Sequence, residues 1–301
     1  MRLAFLGTGG GWPSRYNGVS SIALRLPGRV YLFDCGEGTQ RQMMVSSISF
    51  MDISHIFLSH FHGDHFLGLP GLIQSMSLND REAPLIIIGP EGIKELVETL
   101  LGLGYFTLTF PVDTIEAKAD QPIMEQDIRI TPFAAEHTVP SLGYVVEEPI
   151  RPGRFNKEAA LSLGVPEGPL FSMLQRGEDV TVDGRTICSR EVLGPPRNGR
   201  KLVFTGDTRP IEPPVLWRMC DALIHDSTFQ EEDAERAVEY GHSTSVHAAN
   251  AAKKCMARRL FLVHRSPRYR ESETMLSQAR SVFPETLAPE DLEEHDIPLA
   301  D

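Results

Sequence analysis

Short apolar runs, separated by turns or by amphipathic segments, recur along the whole chain of 301 residues. Runs with the length and composition of buried strands lie at residues 3–6, 53–58, 84–88, 128–133, 142–146, 201–204, 222–224 and 260–263. Residues 20–26 and 29–34, joined by Pro27-Gly28, predict a hairpin. Helical spacing of apolar residues marks residues 67–78, 91–101 and 231–240, and an alanine-rich helix is predicted from residue 245 to about residue 257.

Several of the predicted strands end at a histidine or an aspartate. Asp207, Asp226 and His264 lie at the ends of the last three strands. His137 follows the strand at residues 128–133 and is soon followed by Pro140. We therefore expect these strands to point at one edge of a sheet, where the four side chains would meet.

The densest group of candidate ligands is Ser-His-Phe-His-Gly-Asp-His at residues 59–65. It lies between a predicted strand and a predicted helix, on a turn that can direct several side chains at one point. A ligand set of histidine and aspartate suits zinc, manganese or iron better than the cysteine-rich set of a structural site does. With the strand ends, the candidate metal ligands are His60, His62, Asp64, His65, His137, Asp207 and His264. They suffice for two metals that share one carboxylate, and such a pair can hydrolyse a phosphodiester or an ester.

Two features near the start of the chain bear on this site. The glycine-rich stretch at residues 7–11 does not fit a dinucleotide fingerprint, because Trp12 stands where the third glycine would be. It predicts a tight turn beside the site and no nucleotide cofactor. Asp34 follows a strand, and either orients a ligand histidine or caps the next turn.

The formal charge of −12 argues against a polyanionic partner, but the charge is unevenly distributed. Residues 271–301 hold nine acidic residues against one arginine, whereas residues 253–270 hold seven basic residues and no acidic one. The basic stretch is either a local binding face or an ordinary solvated surface.

The remaining composition indicates a cytoplasmic protein without a membrane partner. No apolar stretch approaches the roughly 20 residues that span a bilayer. The apolar run at residues 1–6 is too short for a signal peptide. The four cysteines lack paired spacing, which is typical of reduced thiols.

Residues 149–200 differ in character from their surroundings. Asn156 is placed to cap a short helix, Gly168-Pro169-Leu170 opens a second, and Asp183-Gly184 predicts a two-residue hairpin turn. The segment is mildly basic, and its apolar content is too low for a core of its own. We therefore predict an arm at residues 150–190, inserted in a single domain that spans residues 1–301.

The H-x-H-x-D-H turn and the strand-end ligands resemble the metallo-β-lactamase superfamily, and within it the RNase Z family of tRNA 3′-processing endoribonucleases. The resemblance extends from residue 3 to about residue 270. The residues that carry it lie at positions 6–9, 34–40, 59–65, 69–72, 137–140, 168–170, 206–210, 241–244 and 264–269.

The resemblance implies an α/β fold, an αββα sandwich of two mixed β-sheets flanked by helices, with a projecting and flexible exosite arm. It also implies a homodimeric, zinc-dependent endoribonuclease that removes the 3′ trailer from precursor tRNA. A hydroxide bridging two Zn²⁺ per subunit, with Mn²⁺ as the substitute metal, would attack the phosphate. The products would be a 3′-hydroxyl on the tRNA and a 5′-phosphate on the trailer.

The family's site residues map onto this chain by their motifs. The first zinc would be held by His60, His62, His137 and Asp207. The second would be held by Asp64, His65, Asp207 and His264. Asp64 would also be the catalytic proton acceptor. His242 would protonate the leaving 3′ oxygen, and Asp226 would orient His242.

Two departures and two alternatives accompany this interpretation. Asn17-Gly18 stands where Arg-Asn is common in the family, and Arg265 stands where an apolar residue is usual. We expect Arg265 to extend the basic face.

The first alternative to this interpretation is a small-molecule phosphodiesterase or lactonase of the same superfamily, which would keep the ligands but have no use for the arm. The second alternative is a non-catalytic or redox relative. It is disfavoured, because a diiron oxidoreductase of this fold would need a flavin domain or a glutamate after His62, where this chain has Gly63.

Overall fold

A computed structural model describes residues 1–299. Its strands are β1 (Arg2–Gly7), β2 (Ser21–Leu26), β3 (Arg29–Phe33), β4 (Ile53–Phe57), β5 (Leu85–Gly89), β6 (Val112–Glu116), β7 (Ile123–Glu125), β8 (Ile128–Ala135), β9 (Ser141–Glu147), β10 (Val180–Val182), β11 (Arg185–Ile187), β12 (Lys201–Phe204), β13 (Ala222–Asp226), β14 (Leu260–Val263), β15 (Thr286–Leu287) and β16 (Glu294–Asp296). Its α-helices are α1 (Thr39–Val45), α2 (Gly63–Phe66), α3 (Leu69–Leu78), α4 (Ile93–Leu101), α5 (Lys157–Ser162), α6 (Pro169–Gln175), α7 (Ala234–Tyr240), α8 (Ser245–Cys255) and α9 (Glu273–Val282).

Two seven-stranded sheets form the centre of the larger part of the chain. One has the strand order β16-β1-β2-β3-β4-β5-β6, antiparallel as far as β3 and parallel from β3 to β6. The other has the order β15-β14-β13-β12-β9-β8-β7, with β12 to β15 parallel. Because β12, β13 and β14 run in the same direction, Asp207, Asp226 and His264 meet at one edge of the sheet.

The two sheets pack face to face through aromatic side chains. The ring of Phe33 on β3 stacks on that of Phe204 on β12, with centroids 3.7 Å apart. The hydroxyl of Tyr144 on β9 donates to the carbonyl oxygen of Leu58 at 2.7 Å. Apolar side chains of α1, α3 and α4 complete the core of the first sheet, and those of α8 and α9 complete the core of the second. The predicted αββα sandwich is therefore confirmed.

Residues 147–200 form most of a second compact unit. Asn156 caps α5 by accepting a hydrogen bond from the amide of Ala159 at 3.0 Å, and β10 pairs with β11 around the Asp-Gly turn. The prediction that this segment lacks a core was wrong. Its buried side chains are Ala160, Val165, Phe171, Leu174, Val180, Ile187 and Val192. Each short element contributes only one or two buried apolar residues, so the core exists only once the elements have assembled.

The basic stretch at residues 253–270 is partly neutralised. Lys254 and Arg258 pair with acidic side chains. Arg265 does not extend a basic face, because it is only 8% exposed. Its guanidinium lies 3.1 Å from a carboxylate oxygen of Glu290 and donates to Oδ1 of Asn17 at 3.0 Å. The expectation failed because part of the acidic C-terminal segment folds back onto this side chain.

The described part of the chain contains no helix that is long and apolar enough to cross a membrane. All four cysteines are free thiols, and Cys35, Cys220 and Cys255 are buried.

Candidate metal centre

The histidine-rich turn connects β4 to the short helix α2. His60 and His62 precede the helix, which begins at Gly63. Asp64 and His65 lie in its first turn. A single reversal of the backbone thus supplies four candidate ligands.

The first group of candidate ligands joins this turn to the second sheet. His60 Nε2 lies 2.9 Å from His62 Nδ1, which lies 3.2 Å from His137 Nε2. Oδ2 of Asp207 lies 3.7 Å from His60 Nε2 and 4.0 Å from His137 Nε2. His137 follows β8 and Asp207 follows β12, so strands distant in sequence complete this group.

The second group shares the same oxygen of Asp207. That oxygen lies 3.3 Å from Nε2 of His65 and 3.3 Å from Nε2 of His264. The two histidine nitrogens are 3.3 Å apart. Oδ2 of Asp64 lies 3.2 Å from His264 Nε2 and 3.7 Å from His65 Nε2. One carboxylate oxygen therefore belongs to two adjacent sets of four ligand atoms.

These separations fit metal coordination. With metal–nitrogen bonds of about 2.0–2.1 Å in a tetrahedral site, ligand atoms are roughly 3.4 Å apart. The observed separations of 2.9–4.0 Å in the first group and 3.2–3.7 Å in the second bracket that value. Histidine nitrogens and carboxylate oxygens are also the donors that zinc and manganese accept in hydrolytic enzymes.

For three of the candidate ligand histidines, hydrogen bonds fix which ring nitrogen faces the centre. His65 donates from Nδ1 to Oδ2 of Asp34 at 2.8 Å, and His137 donates from Nδ1 to the carbonyl oxygen of Gly241 at 2.7 Å. His264 donates from Nδ1 to the hydroxyl of Thr228 at 2.8 Å. In each case Nε2 is left as the acceptor that faces the centre, as in metal sites whose ligand histidines are held by outer hydrogen bonds.

The protonation of the centre favours a divalent cation. Burial lowers the pKa of His60 well below its usual value and also lowers the pKa of His62 and His137, so these rings are neutral near pH 7. Burial opposes the charge on Asp207, but the neighbouring His264 and His65 outweigh it and hold the pKa of this carboxyl well below its usual range. The first group thus offers three neutral histidine nitrogens beside an anionic carboxylate oxygen.

The glycine-rich turn packs directly against the second group. The amide of Gly11 donates to Oδ2 of Asp64 at 2.6 Å. A Cβ atom on Gly10 would lie 2.3 Å from the ring of His264. At the base of the turn, Asp291 accepts hydrogen bonds from the amides of Thr8 and Gly18. The predicted tight turn is present, and it contacts two candidate ligands, Asp64 and His264.

Gly10→Ala is expected to displace His264 or the turn, because the new methyl group has no space. A displacement of about 1 Å at a catalytic site can cost roughly 100-fold in rate, and we expect a loss of at least about tenfold. Zinc affinity of the apoprotein, measured by competition with a chromophoric chelator, should fall as well. Gly102→Ala is the matched control, since its Cβ would meet only ordinary contacts at 3.5 Å. Equal zinc affinities in the two variants would contradict this interpretation.

His242 and Asp226 lie beside the two groups. Nδ1 of His242 donates to Oδ2 of Asp226 at 3.0 Å and lies 3.9 Å from Oδ2 of Asp207. Burial lowers the pKa of His242, but the charge of Asp226 and its hydrogen bond outweigh burial and raise that pKa to about 9. Without bound metal, His242 is therefore protonated at neutral pH, with its ring held by a buried carboxylate.

Three contributors were not anticipated from the sequence. Thr228 donates from Oγ1 to Oδ1 of Asp226 at 2.6 Å while accepting from His264, so it links the two. The amide of Gly11 and the carbonyl oxygen of Gly241 act through the backbone, which no residue type reveals. For Thr228, a hydroxyl two residues after a strand-end aspartate was the only available signal.

Proteins of known structure that superpose on this chain identify its fold class. The metallo-β-lactamase fold protein YhfI from Bacillus subtilis superposes with a TM-score of 0.69 at 18% identity, covering 98% of each chain. Human tRNase Z, short form, superposes with a TM-score of 0.73 at 29% identity, covering 99% of this chain and 100% of that one. The protein therefore has the metallo-β-lactamase fold.

Sequence similarity narrows the class further. Ribonuclease Z of Methanosarcina acetivorans is 46% identical over 300 residues, which cover 99% of this chain and 98% of that protein. Residues 1–151 also match the family model described as Anti-Pycsar protein Apyc1, so this half of the chain belongs to that sequence family too. Over its full length, the chain belongs to the ribonuclease Z family.

Proposed function

We propose that this protein is a metal-dependent endoribonuclease that removes the 3′ trailer from tRNA precursors, leaving a 3′-hydroxyl on the tRNA and a 5′-phosphate on the trailer. The observation that carries the proposal is similarity to ribonuclease Z over 99% of the chain, in a molecule whose candidate ligands converge on one oxygen of Asp207.

We propose two zinc ions per subunit, with manganese as the substitute metal. The first would be held by His60, His62, His137 and Asp207. The second would be held by Asp64, His65, Asp207 and His264. When bound, such a pair lowers the pKa of water toward neutrality and stabilises the charge that develops at phosphorus.

The chain's own residues supply the proton transfers. Asp64 accepts the proton of the attacking water. The Gly11 amide orients its carboxylate, and the neighbouring His264 and His65 lower its pKa despite burial, so it is ionised at neutral pH. His242 donates a proton to the leaving 3′ oxygen, and Asp226 holds its ring for that transfer. Separate residues thus act as base and acid.

We propose that the arm at residues 150–190, within the compact unit formed mostly by residues 147–200, is an exosite that grips the tRNA body. The buried core of this unit supports a surface that is folded before tRNA binds. Residues 149–200 carry eight basic residues against six acidic ones. Following the family resemblance, we also propose that the enzyme is a cytoplasmic homodimer.

Removal of the exosite should reduce cleavage of the tRNA precursor without affecting hydrolysis of a small diester at the metal centre. Arg151 and Arg197 exchange backbone hydrogen bonds at 2.7 and 2.9 Å across an antiparallel bridge. Residues 152–196 can therefore be replaced by an Asn-Gly turn that closes this bridge. We expect kcat/KM for a 3′-extended tRNA precursor to fall at least about 100-fold, a loss typical of several phosphate contacts. Hydrolysis of bis(p-nitrophenyl) phosphate should stay within about twofold of the parent, since no candidate ligand is removed.

The same comparison tests the proposed function. End mapping of the wild-type products should give a 3′-hydroxyl on the tRNA and a 5′-phosphate on the trailer. An equal loss of both activities in the shortened variant would contradict the exosite. A wild-type protein that hydrolyses the small diester and leaves the precursor intact would instead favour a small-molecule phosphodiesterase.

A further inference from the structure

The candidate metal centre opens into a cleft of about 190 Å³ whose wall is partly aromatic. His62, Asp64, Asp207, His242 and His264 contribute to the lining. The other lining side chains include Trp12, Phe229, Tyr240 and Arg268. Neither metal binding nor proton transfer requires these aromatic rings, so their presence calls for another explanation.

Trp12 is held at the cleft while its ring stays in solvent. Its amide donates to the carbonyl oxygen of Gly10 at 3.1 Å, which ties its backbone to the turn that contacts His264 and Asp64. Its side chain is 60% exposed, so it contributes little to the core. A large, solvent-exposed aromatic ring in the wall of a cleft can exchange its bound water for a flat ligand.

A second aromatic surface lies beside the proton donor. Tyr240, at the end of α7, is 50% exposed, and its ring stacks on that of the buried Phe229 with centroids 6.4 Å apart. The guanidinium of Arg268 lies 6.0 Å from the centroid of Phe229. Trp12 also lines a neighbouring groove of about 310 Å³, together with Arg15 and Arg270. Aromatic rings interleaved with arginines are the means by which proteins bind single-stranded nucleic acid.

We propose that Trp12 is a stacking surface for an unpaired nucleobase next to the scissile phosphate, with Tyr240 completing the aromatic lining of the same cleft. This inference rests on the proposed function and names how the substrate strand is held at the cut. A cleft of about 190 Å³ has room for one flat base beside Trp12. A small phosphodiester without a base would gain nothing from Trp12.

Fluorescence offers a direct test, because the chain has only two tryptophans. Trp12 is 60% exposed, whereas Trp217 is fully buried. Titration of the chelator-treated protein with a 3′-extended tRNA precursor should quench the Trp12 emission in a saturable manner. Trp12→Phe should abolish the quenching and leave the Trp217 emission unchanged. Emission that is unaffected by saturating precursor would overturn the inference.

Kinetic measurements on the zinc-loaded protein provide a second test. Trp12→Ala should raise KM for the precursor about tenfold with kcat within about twofold, since stacking holds the base equally in the bound substrate and in the transition state. A tenfold change corresponds to about 1.4 kcal/mol. Trp12→Phe should restore most of the loss. Tyr105→Ala, which removes a fully exposed aromatic ring outside the cleft, should leave KM unchanged.

The outcomes separate this inference from the proposed function. The thermal unfolding temperature and the zinc affinity should be unchanged in Trp12→Ala, because Trp12 is not among the proposed metal ligands. Normal precursor cleavage by that variant, with unchanged KM, would overturn the stacking surface and leave the endoribonuclease intact. A wild-type protein that cleaves no precursor would overturn the proposed function, and quenching by the precursor would then still support a base-binding surface.

Discussion

His62→Ala is expected to remove bound metal and activity together. Nδ1 of His62 lies within 3.2 Å of both His60 Nε2 and His137 Nε2, and its loss leaves the first group with three ligand atoms. A catalytic metal contributes several kcal/mol to transition-state stabilisation, so we expect kcat for the tRNA precursor to fall about 1,000-fold or more. Zinc content, measured by mass spectrometry of the native protein, should fall from two per chain to one or fewer.

His295→Asn is the matched control for this experiment. His295 lies on the edge strand β16, where its ring contacts Phe5 and Phe261 outside the metal centre. Its replacement should leave the zinc content at two per chain and kcat nearly unchanged. A His62→Ala protein that retains two zinc ions would contradict the assignment of the first site.

His242→Ala should retain both zinc ions and lose most turnover. The ring contacts Asp226 and belongs to neither group of four proposed ligands. Loss of a general acid typically costs about 100- to 10,000-fold, and we expect kcat to fall within that range. The loss should be smaller for an analogue whose leaving group needs no proton, such as a nucleoside 5′-(p-nitrophenyl phosphate), in which p-nitrophenolate takes the place of the leaving 3′ oxygen. Full activity on the precursor would exclude His242 from the mechanism.

The pKa of His242 gives this prediction a spectroscopic readout. In metal-free protein, the ring should titrate at about 9 by NMR. Asp226→Asn removes the charge that raises this pKa, so the proton should then be lost at a lower pH. Because a proton donor must be protonated, cleavage should fall as pH rises through the pKa of His242. Bound cations lower that pKa, so the falling limb should lie below pH 9 in the zinc enzyme.

Much of the candidate site could be predicted because its ligands are concentrated in sequence or lie at strand ends. The turn at residues 59–65 combines four of them, and the apolar runs before Asp207 and His264 mark the other side. Parallel pairing of β12, β13 and β14 then brings Asp207, Asp226 and His264 to one edge. The hydrophobic runs predict where the strands end, and the pairing of the strands in the sheet brings those ends together.

What could not be predicted depends on contacts between distant segments. Arg265 and Glu290 look like members of a basic and an acidic stretch, and only the folded chain pairs them. The core of residues 147–200 is invisible in the composition, because its members are spread over several short elements. Gly11 contributes an amide to Asp64, a function that depends on backbone direction alone.

The most direct test is zinc titration of the chelator-treated protein with a 3′-extended tRNA precursor as substrate. The two adjacent groups of ligands predict that two equivalents of zinc bind per chain and that cleavage, with a 3′-hydroxyl left on the tRNA, appears as the sites fill. Excess chelator should abolish the cleavage, and added zinc should restore it. Precursor that stays intact with two equivalents bound, or cleavage that persists in excess chelator, would contradict the account.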